Sequence, residues 1–194
     1  MDKLSYALGL SMGQNLKSSG VNKLQYQDFA QGIEDILSPN PTKISMQEAQ
    51  QLLQNYFTQL EQEISAAEKE RGKQFLEENA KRQNVHTTPS GLQYEVIEST
   101  LGRKPKATDT VRVHYEGTLI DNTLFDSSYK RGEPVSFPLN QVIKGWTEGL
   151  QLMSIGSKYK FYIPYNLAYG ERGAGQQIPP YATLIFTVEL LNIE

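Results

Sequence analysis

The sequence predicts an α+β chain: an all-α N-terminal half ending in one long helix, then an antiparallel β half-barrel wrapped on a single short helix. Three observations carry that reading. Residue usage changes near residue 85, from helix formers at helical spacing to β-branched and aromatic residues in alternation. The junction, Asn84-Val85-His86-Thr87-Thr88-Pro89-Ser90-Gly91, is a run of turn and cap residues. Among the candidate strands of the second half lies one segment, 142–153, with a period near 3.6. Two domains follow, residues 1–84 and residues 85–194.

In the first half, Leu4, Leu8, Met12 and Leu16 recur every four residues and predict a helix, with Gly9 and Gly13 on a neighbouring stripe. Phe29, Ile33, Ile36 and Leu37 predict a second helix that stops before Pro39, where Ser38-Pro39-Asn40-Pro41 breaks the chain. Ser45 and Glu48 have the spacing of a capping box, so a third helix is expected from Met46. No proline interrupts it before Pro89, and a helix over 46–83 would span about 57 Å. Ala49, Leu52, Leu53, Tyr56, Phe57, Leu60 and Ile64 form a broad apolar stripe along its first part. Residues 65–74 offer almost nothing to bury, which predicts a solvated strut. Three helices with this much apolar surface make a thin core. A second copy of the same surface is the simplest remedy, so a two-fold homodimer through residues 1–84 is expected. Ordinary packing inside a monomeric helical subdomain is the alternative.

In the second half, strands are expected over 92–97, 110–119, 158–163 and 184–191. In 110–119, Val111, Val113 and Tyr115 share one face, and Arg112, His114 and Glu116 the other. The short helix over 142–153 is expected to end at Ile155-Gly156. One helix on one face of such a sheet is an α+β half-barrel.

Composition removes several classes of function. Net charge is −3, so there is no basic field for nucleic acid or an anionic membrane. The N-terminal apolar run is too short and mixed for a membrane span or a cleavable leader. A cytoplasmic location is therefore expected, or a periplasmic one if a leader has been removed. There is no cysteine, and His86 and His114 have no ligand spacing, so neither metal nor cofactor is expected. The glycine-rich Gly170-Glu171-Arg172-Gly173-Ala174-Gly175 lacks the Lys-Ser/Thr of a phosphate loop, and Pro179-Pro180 forbids the helix such a loop opens. What remains is apolar: Tyr115, Phe125, Trp146, Tyr169 and Ile178 fall at loops or strand ends, as the lining of a concave apolar site would.

Five segments give that site an identity by resemblance. Val113-His114-Tyr115-Glu116-Gly117, Phe125-Asp126-Ser127-Ser128, Val142-Ile143-Lys144-Gly145-Trp146, Ala168-Tyr169-Gly170 and the stretch 178–186 resemble, in order and spacing, the signature of the FKBP family of peptidyl-prolyl cis–trans isomerases. The likeness covers all of residues 90–194. The helical half resembles the dimerisation domain of the macrophage infectivity potentiator subgroup, on its Tyr6-Ala7-Leu8-Gly9 opening and long linking helix.

The resemblance implies the FKBP fold and a rotamase acting on X–Pro bonds of unfolded or partly folded proteins, without a cofactor. It implies catalytic roles for Tyr115, Asp126, Tyr169 and Trp146. Phe125, Arg131, Phe137, Val142, Ile143, Ile178 and Phe186 would bind substrate. Trp146 would floor the pocket, Ile143 would offer its backbone N–H, and Tyr169 its hydroxyl. An unpaired carboxylate in such a pocket would be costly, so Asp126 is expected to pair with Arg131 and a tyrosine hydroxyl, Tyr115 first. Val135 and Ala174 depart from the family's usual aromatic and histidine. Both are expected at the rim, weakening contacts to tacrolimus or rapamycin. The helices would add a chaperone-like second contact for the same client. The alternative reading is a chaperone module that grips proline segments without turnover.

Overall fold

Asp2 opens the first helix, its carboxylate accepting from the Ser5 N–H at 2.8 Å and so satisfying an end donor of α1 (Lys3–Ser18). Helix α2 (Tyr26–Leu37) stops before Pro39 as expected. Helix α3 (Met46–Asn79) starts where the capping spacing places it, with Ser45 Oγ accepting from the Glu48 N–H at 3.1 Å. It ends at Asn79, four residues short of the expected end. The last turn tightens there, with the Lys81 and Arg82 N–H groups donating to the Glu78 and Asn79 carbonyls. Gln93 holds that end, its side-chain amide donating to the Leu76 carbonyl at 2.9 Å and its oxygen accepting from Asn79 Nδ2 at 2.8 Å. This computed structural model describes residues 1–39 and 41–194, so Asn40 of the predicted chain break lies outside the described residues.

The described chain forms two compact units, Met1–Glu63 and Ile64–Glu194. Within the first, α1 and α2 bury no residue, and Leu4, Leu8, Leu10, Leu52, Leu53 and Phe57 are exposed. The change of composition near residue 85 and the change of packing at residue 64 are therefore different boundaries. The end of α3 packs with the sheet: Gly72 and Asn79 are buried, and Phe75 meets Tyr162 at 5.9 Å between ring centroids. The expectation of a bare strut over 65–74 fails at Gly72, a residue with no side chain to reveal a contact.

The second unit holds seven antiparallel strands: β1 (His86–Thr87), β2 (Gln93–Glu98), β3 (Thr110–Leu119), β4 (Leu124–Ser127), β5 (Val135–Pro138), β6 (Lys158–Ile163) and β7 (Leu184–Ile193). Their order is β1-β2-β6-β7-β3-β4, and β5 also pairs with β3. On β3, Val111, Val113 and Tyr115 are buried while Arg112 and Glu116 face out, as alternation predicts. A four-residue helix, α4 (Ser128–Arg131), follows β4. Helix α5 (Lys144–Leu150) is shorter than the 142–153 expected. Gly156, at φ +86°, makes the turn into β6 and does not cap the helix. Gly145 and Gly149 let α5 lie directly on the sheet, since a Cβ at either would stand 2.5 Å from Ile163 or 2.6 Å from Phe161. That approach sets the depth of Trp146.

Candidate active site

Trp146 is the floor of a ring-walled cavity in the second unit. Buried on α5, its indole meets Tyr115, Phe137 and Phe186 edge to face, with ring centroids 5.1, 5.5 and 5.2 Å away. Such geometry sets the electropositive edge of one ring against the face of the next, which fixes ring orientations as well as burying area. Phe125 extends the wall by meeting Phe186 at 5.4 Å and 83°. Gly117 makes that pair possible, because a Cβ there would lie 2.6 Å from Phe186 and 2.7 Å from Phe125.

These rings enclose a cavity of about 550 Å³. Every residue expected at the site lines it except Arg131: Tyr115, Phe125, Asp126, Phe137, Val142, Ile143, Trp146, Tyr169, Ile178 and Phe186. Ala174 lines it too. Val135 does not: it sits on β5, partly buried and packed against the core. Gln141 and Gln177 complete the lining, and nothing in the sequence distinguished them from surface loop glutamines.

One charge faces the cavity, and it is held by its neighbours. Tyr115 Oη donates to Asp126 Oδ2 at 2.6 Å, Arg131 Nη2 donates to Tyr115 Oη at 2.8 Å, and Arg131 Nη1 donates to Asp126 Oδ1. Arg131 thus reaches the site from behind, which is why it is absent from the lining. Burial by itself would raise the Asp126 pKa, but the Tyr115 hydroxyl and then Arg131 outweigh it and hold the carboxyl below its ordinary range. Burial, followed by the bond to Asp126, pushes Tyr115 up to about 12. The cluster is therefore a neutral phenol, a carboxylate and a guanidinium throughout the neutral range.

Local structure fixes this cluster. Ser128, fully buried at the start of α4, accepts the Tyr115 backbone N–H at 2.7 Å and donates to the Tyr115 carbonyl at 3.2 Å. Ser127 caps α4 by accepting the Lys130 N–H at 3.3 Å, and one turn later Arg131 points back at Asp126. The Phe125-Asp126-Ser127-Ser128 segment is thereby a wall residue, a charge, a cap and an anchor in succession.

Among the polar groups free to meet a ligand, two stand out. The Ile143 N–H, just ahead of α5, has no backbone acceptor among the described residues. The Tyr169 side chain is partly exposed at the cavity edge, and burial raises its pKa, so its hydroxyl keeps its proton. Trp146 Nε1 is buried without a hydrogen-bond partner. The arrangement holds no nucleophile with an adjacent base. It can grip a small apolar ring and direct a few hydrogen bonds at a peptide backbone.

Known proteins match this chain throughout. A family profile described as FKBP-type peptidyl-prolyl cis-trans isomerase matches residues 102–191, and one described as the domain amino terminal to it matches residues 1–96. An FKBP-type 22 kDa peptidyl-prolyl cis-trans isomerase from Escherichia coli is 46% identical, over 97% of this chain and 93% of that protein. The FKBP-type peptidyl-prolyl cis-trans isomerase FkpA of Aeromonas hydrophila is 48% identical, over 100% of this chain and 76% of its own length. The crystal structure of FkpA from Escherichia coli superposes with a TM-score of 0.80 at 41% identity, covering 99% of this chain and 95% of that one.

Proposed function

The chain belongs to the FKBP-type peptidyl-prolyl cis–trans isomerase family and is such an isomerase, and on that premise we propose that the cavity floored by Trp146 is where an X–Pro bond turns. The observation that carries this is the pairing of an apolar, ring-walled floor with free backbone-directed donors at its edge. Rotation about the bond breaks no σ bond, and its barrier of about 18–20 kcal/mol is lost amide resonance. The planar amide is charge-separated and the twisted one is less polar. Apolar walls therefore disfavour the ground state relative to the transition state. Each ~1.4 kcal/mol so gained is about tenfold in rate.

In this reading the proline ring rests on Trp146 among Tyr115, Phe137 and Phe186. The Ile143 N–H and the Tyr169 hydroxyl hold substrate carbonyls on either side of the rotating bond. Asp126, tied to Tyr115 and Arg131, orients and polarises without transferring a proton. Tacrolimus or rapamycin should occupy the same walls and compete with peptide. Turnover of an X-Pro tetrapeptide, with and without tacrolimus, tests the assignment. Peptide binding to a folded chain without catalysed isomerisation would favour the grip-only alternative.

For the helical unit we propose a homodimer, whose second function is to hold a client near the pocket. The support is exposure: α1 and α2 bury nothing in a single copy, and open space surrounds Gly9, Gly13 and Gly32 where another helix could approach closely. Light scattering should give twice the chain mass for the full-length protein and a monomer for residues 64–194. A monomeric full-length chain at micromolar concentration would remove the proposal.

A further inference from the structure

The inference rests on the cavity being the isomerase site, and concerns how its least regular wall is held. Tyr169 and Ile178 both come from residues 164–183, a stretch whose regular structure is one 3-10 turn, Tyr165–Leu167, and an isolated bridge between Ala174 and Ile178. Its two ends are clasped together. The Tyr165 and Tyr181 rings meet edge to face at 5.2 Å, the Gly170 N–H donates to the Tyr165 carbonyl at 2.9 Å, and the Tyr181 N–H donates to the Gly170 carbonyl at 2.9 Å. Tyr181 has φ +61°, in the left-handed region that a bulky side chain rarely adopts. Such a conformation persists only where the surroundings impose it.

Those surroundings include α3. Lys69 Nζ stands 3.9 Å from the centroid of the Tyr181 ring and 5.9 Å from that of Tyr165, so one ammonium covers both halves of the clasp. One turn further on, Gly72 brings the helix against Thr183, where a Cβ would lie 2.5 Å from the Thr183 Oγ1. The helix therefore presses on residues 181 and 183, just beyond Ile178, which lines the cavity.

We propose that Lys69 is a positioning residue of the isomerase: through the Tyr165–Tyr181 clasp it holds Tyr169 and Ile178 in the geometry that binds the peptide. It touches no substrate. Its effect falls on affinity, because a relaxed clasp leaves the floor and the Asp126 cluster in place and displaces only the outer wall.

The test uses the full-length chain carrying Lys69→Met or Lys69→Arg. Methionine keeps an unbranched stem without the charge, and arginine keeps a cation able to lie over the ring. Trp146 is the chain's one tryptophan, so its emission reports peptide entering the cavity. Lys69→Met should weaken tetrapeptide binding and raise KM about two- to fivefold with kcat little changed, the range a ring-bound cation supplies. Lys69→Arg should restore the parent values, and the thermal midpoint should not follow the affinity. Parent-like affinity and KM in Lys69→Met would overturn the proposal, as would equal losses in both variants. Asp126→Ala is measured alongside. Full turnover in that variant would overturn the site assignment and this inference with it, whereas its loss beside an unaffected Lys69→Met overturns the inference alone.

Discussion

Gly117→Ala tests the wall of the pocket with a single methyl group. Gly117 lies on β3 between two partners, opposite Asp126 on β4 and Phe186 on β7, so its backbone is held from both sides. The new Cβ would fall 2.6 Å from Phe186 and 2.7 Å from Phe125, where carbon atoms prefer about 3.5–4.0 Å. The rings must retreat by roughly 1 Å, and Phe186 cannot do so without moving against Trp146. Overpacking of this kind costs about 1–3 kcal/mol. Removing a glycine from a strand returns about 0.5–1 kcal/mol, leaving a net loss of up to about 2.5 kcal/mol. Urea unfolding followed by Trp146 emission should show a lower midpoint at unchanged slope. Because both displaced rings line the cavity, kcat/KM on a tetrapeptide should fall about tenfold, equivalent to about 1.4 kcal/mol of transition-state binding. An unchanged midpoint together with full activity would mean that the rings yield freely, and that their fixed orientation is not what the site depends on.

Asp126→Asn, which keeps size and removes the charge facing Arg131, should lower kcat/KM about three- to tenfold. It should barely change stability, because the ion pair is substantially solvent-exposed. A pH series on the parent chain should show kcat/KM flat from about pH 5 to 10. Asp126 is held below its ordinary value, so its contribution to stability is complete above about 4 and is lost as pH falls through the lowered pKa. Tyr115 is raised, so its contribution is present below 10 and is lost as pH rises through about 12; a bell with a limb near neutrality would refute this protonation scheme. Residues 85–194 should unfold about 2–4 kcal/mol more easily than residues 64–194, through loss of the Phe75 and Leu76 packing and the buried Asn79–Gln93 bond. Equal urea midpoints for the two fragments would show the end of α3 to be dispensable.

What the sequence made legible was whatever repeats with a period or occurs as a compact motif. The β3 alternation, the Ser45–Glu48 cap and nine of the lining residues fall in that class, whereas Phe137 lies outside every motif segment and came from the resemblance by position alone. What stayed hidden lacks both. Strands β4 and β5 are four residues each, too short for alternation to register, and β1 is only two. Gln141 and Gln177 look like any solvated glutamine. The docking of α3 was hidden because its two large apolar residues, Phe75 and Leu76, stand alone in a polar stretch. Its other contacts are made by a glycine, by a lysine ammonium over aromatic rings and by an asparagine reading a glutamine fourteen residues away. None of these appears as an apolar stripe. Arg131 was legible twice, by position in the family resemblance and through the carboxylate it had to balance, and the desolvation of that carboxylate is what named its partner.

The proposed site also explains why an isomerase of this kind would carry a second unit at all. Its donors, the Ile143 N–H and the Tyr169 hydroxyl, address backbone carbonyls, and its floor addresses a proline ring. Every polypeptide with proline offers both. Making the pocket more selective would require polar groups aimed at flanking side chains. Those groups would raise the polarity of the walls whose low polarity favours the twisted amide. Catalysis and client affinity therefore compete for the same surface, and one way out is to separate them. The exposed Leu4, Leu8, Leu52, Leu53 and Phe57 of Met1–Glu63 are apolar surface of the kind an unfolded client also presents, and whatever part of it the proposed dimer leaves uncovered is open to such a client. On the proposed reading, that unit supplies affinity for non-native chains by effective concentration. The cavity is then free to stay apolar, small and indifferent to sequence.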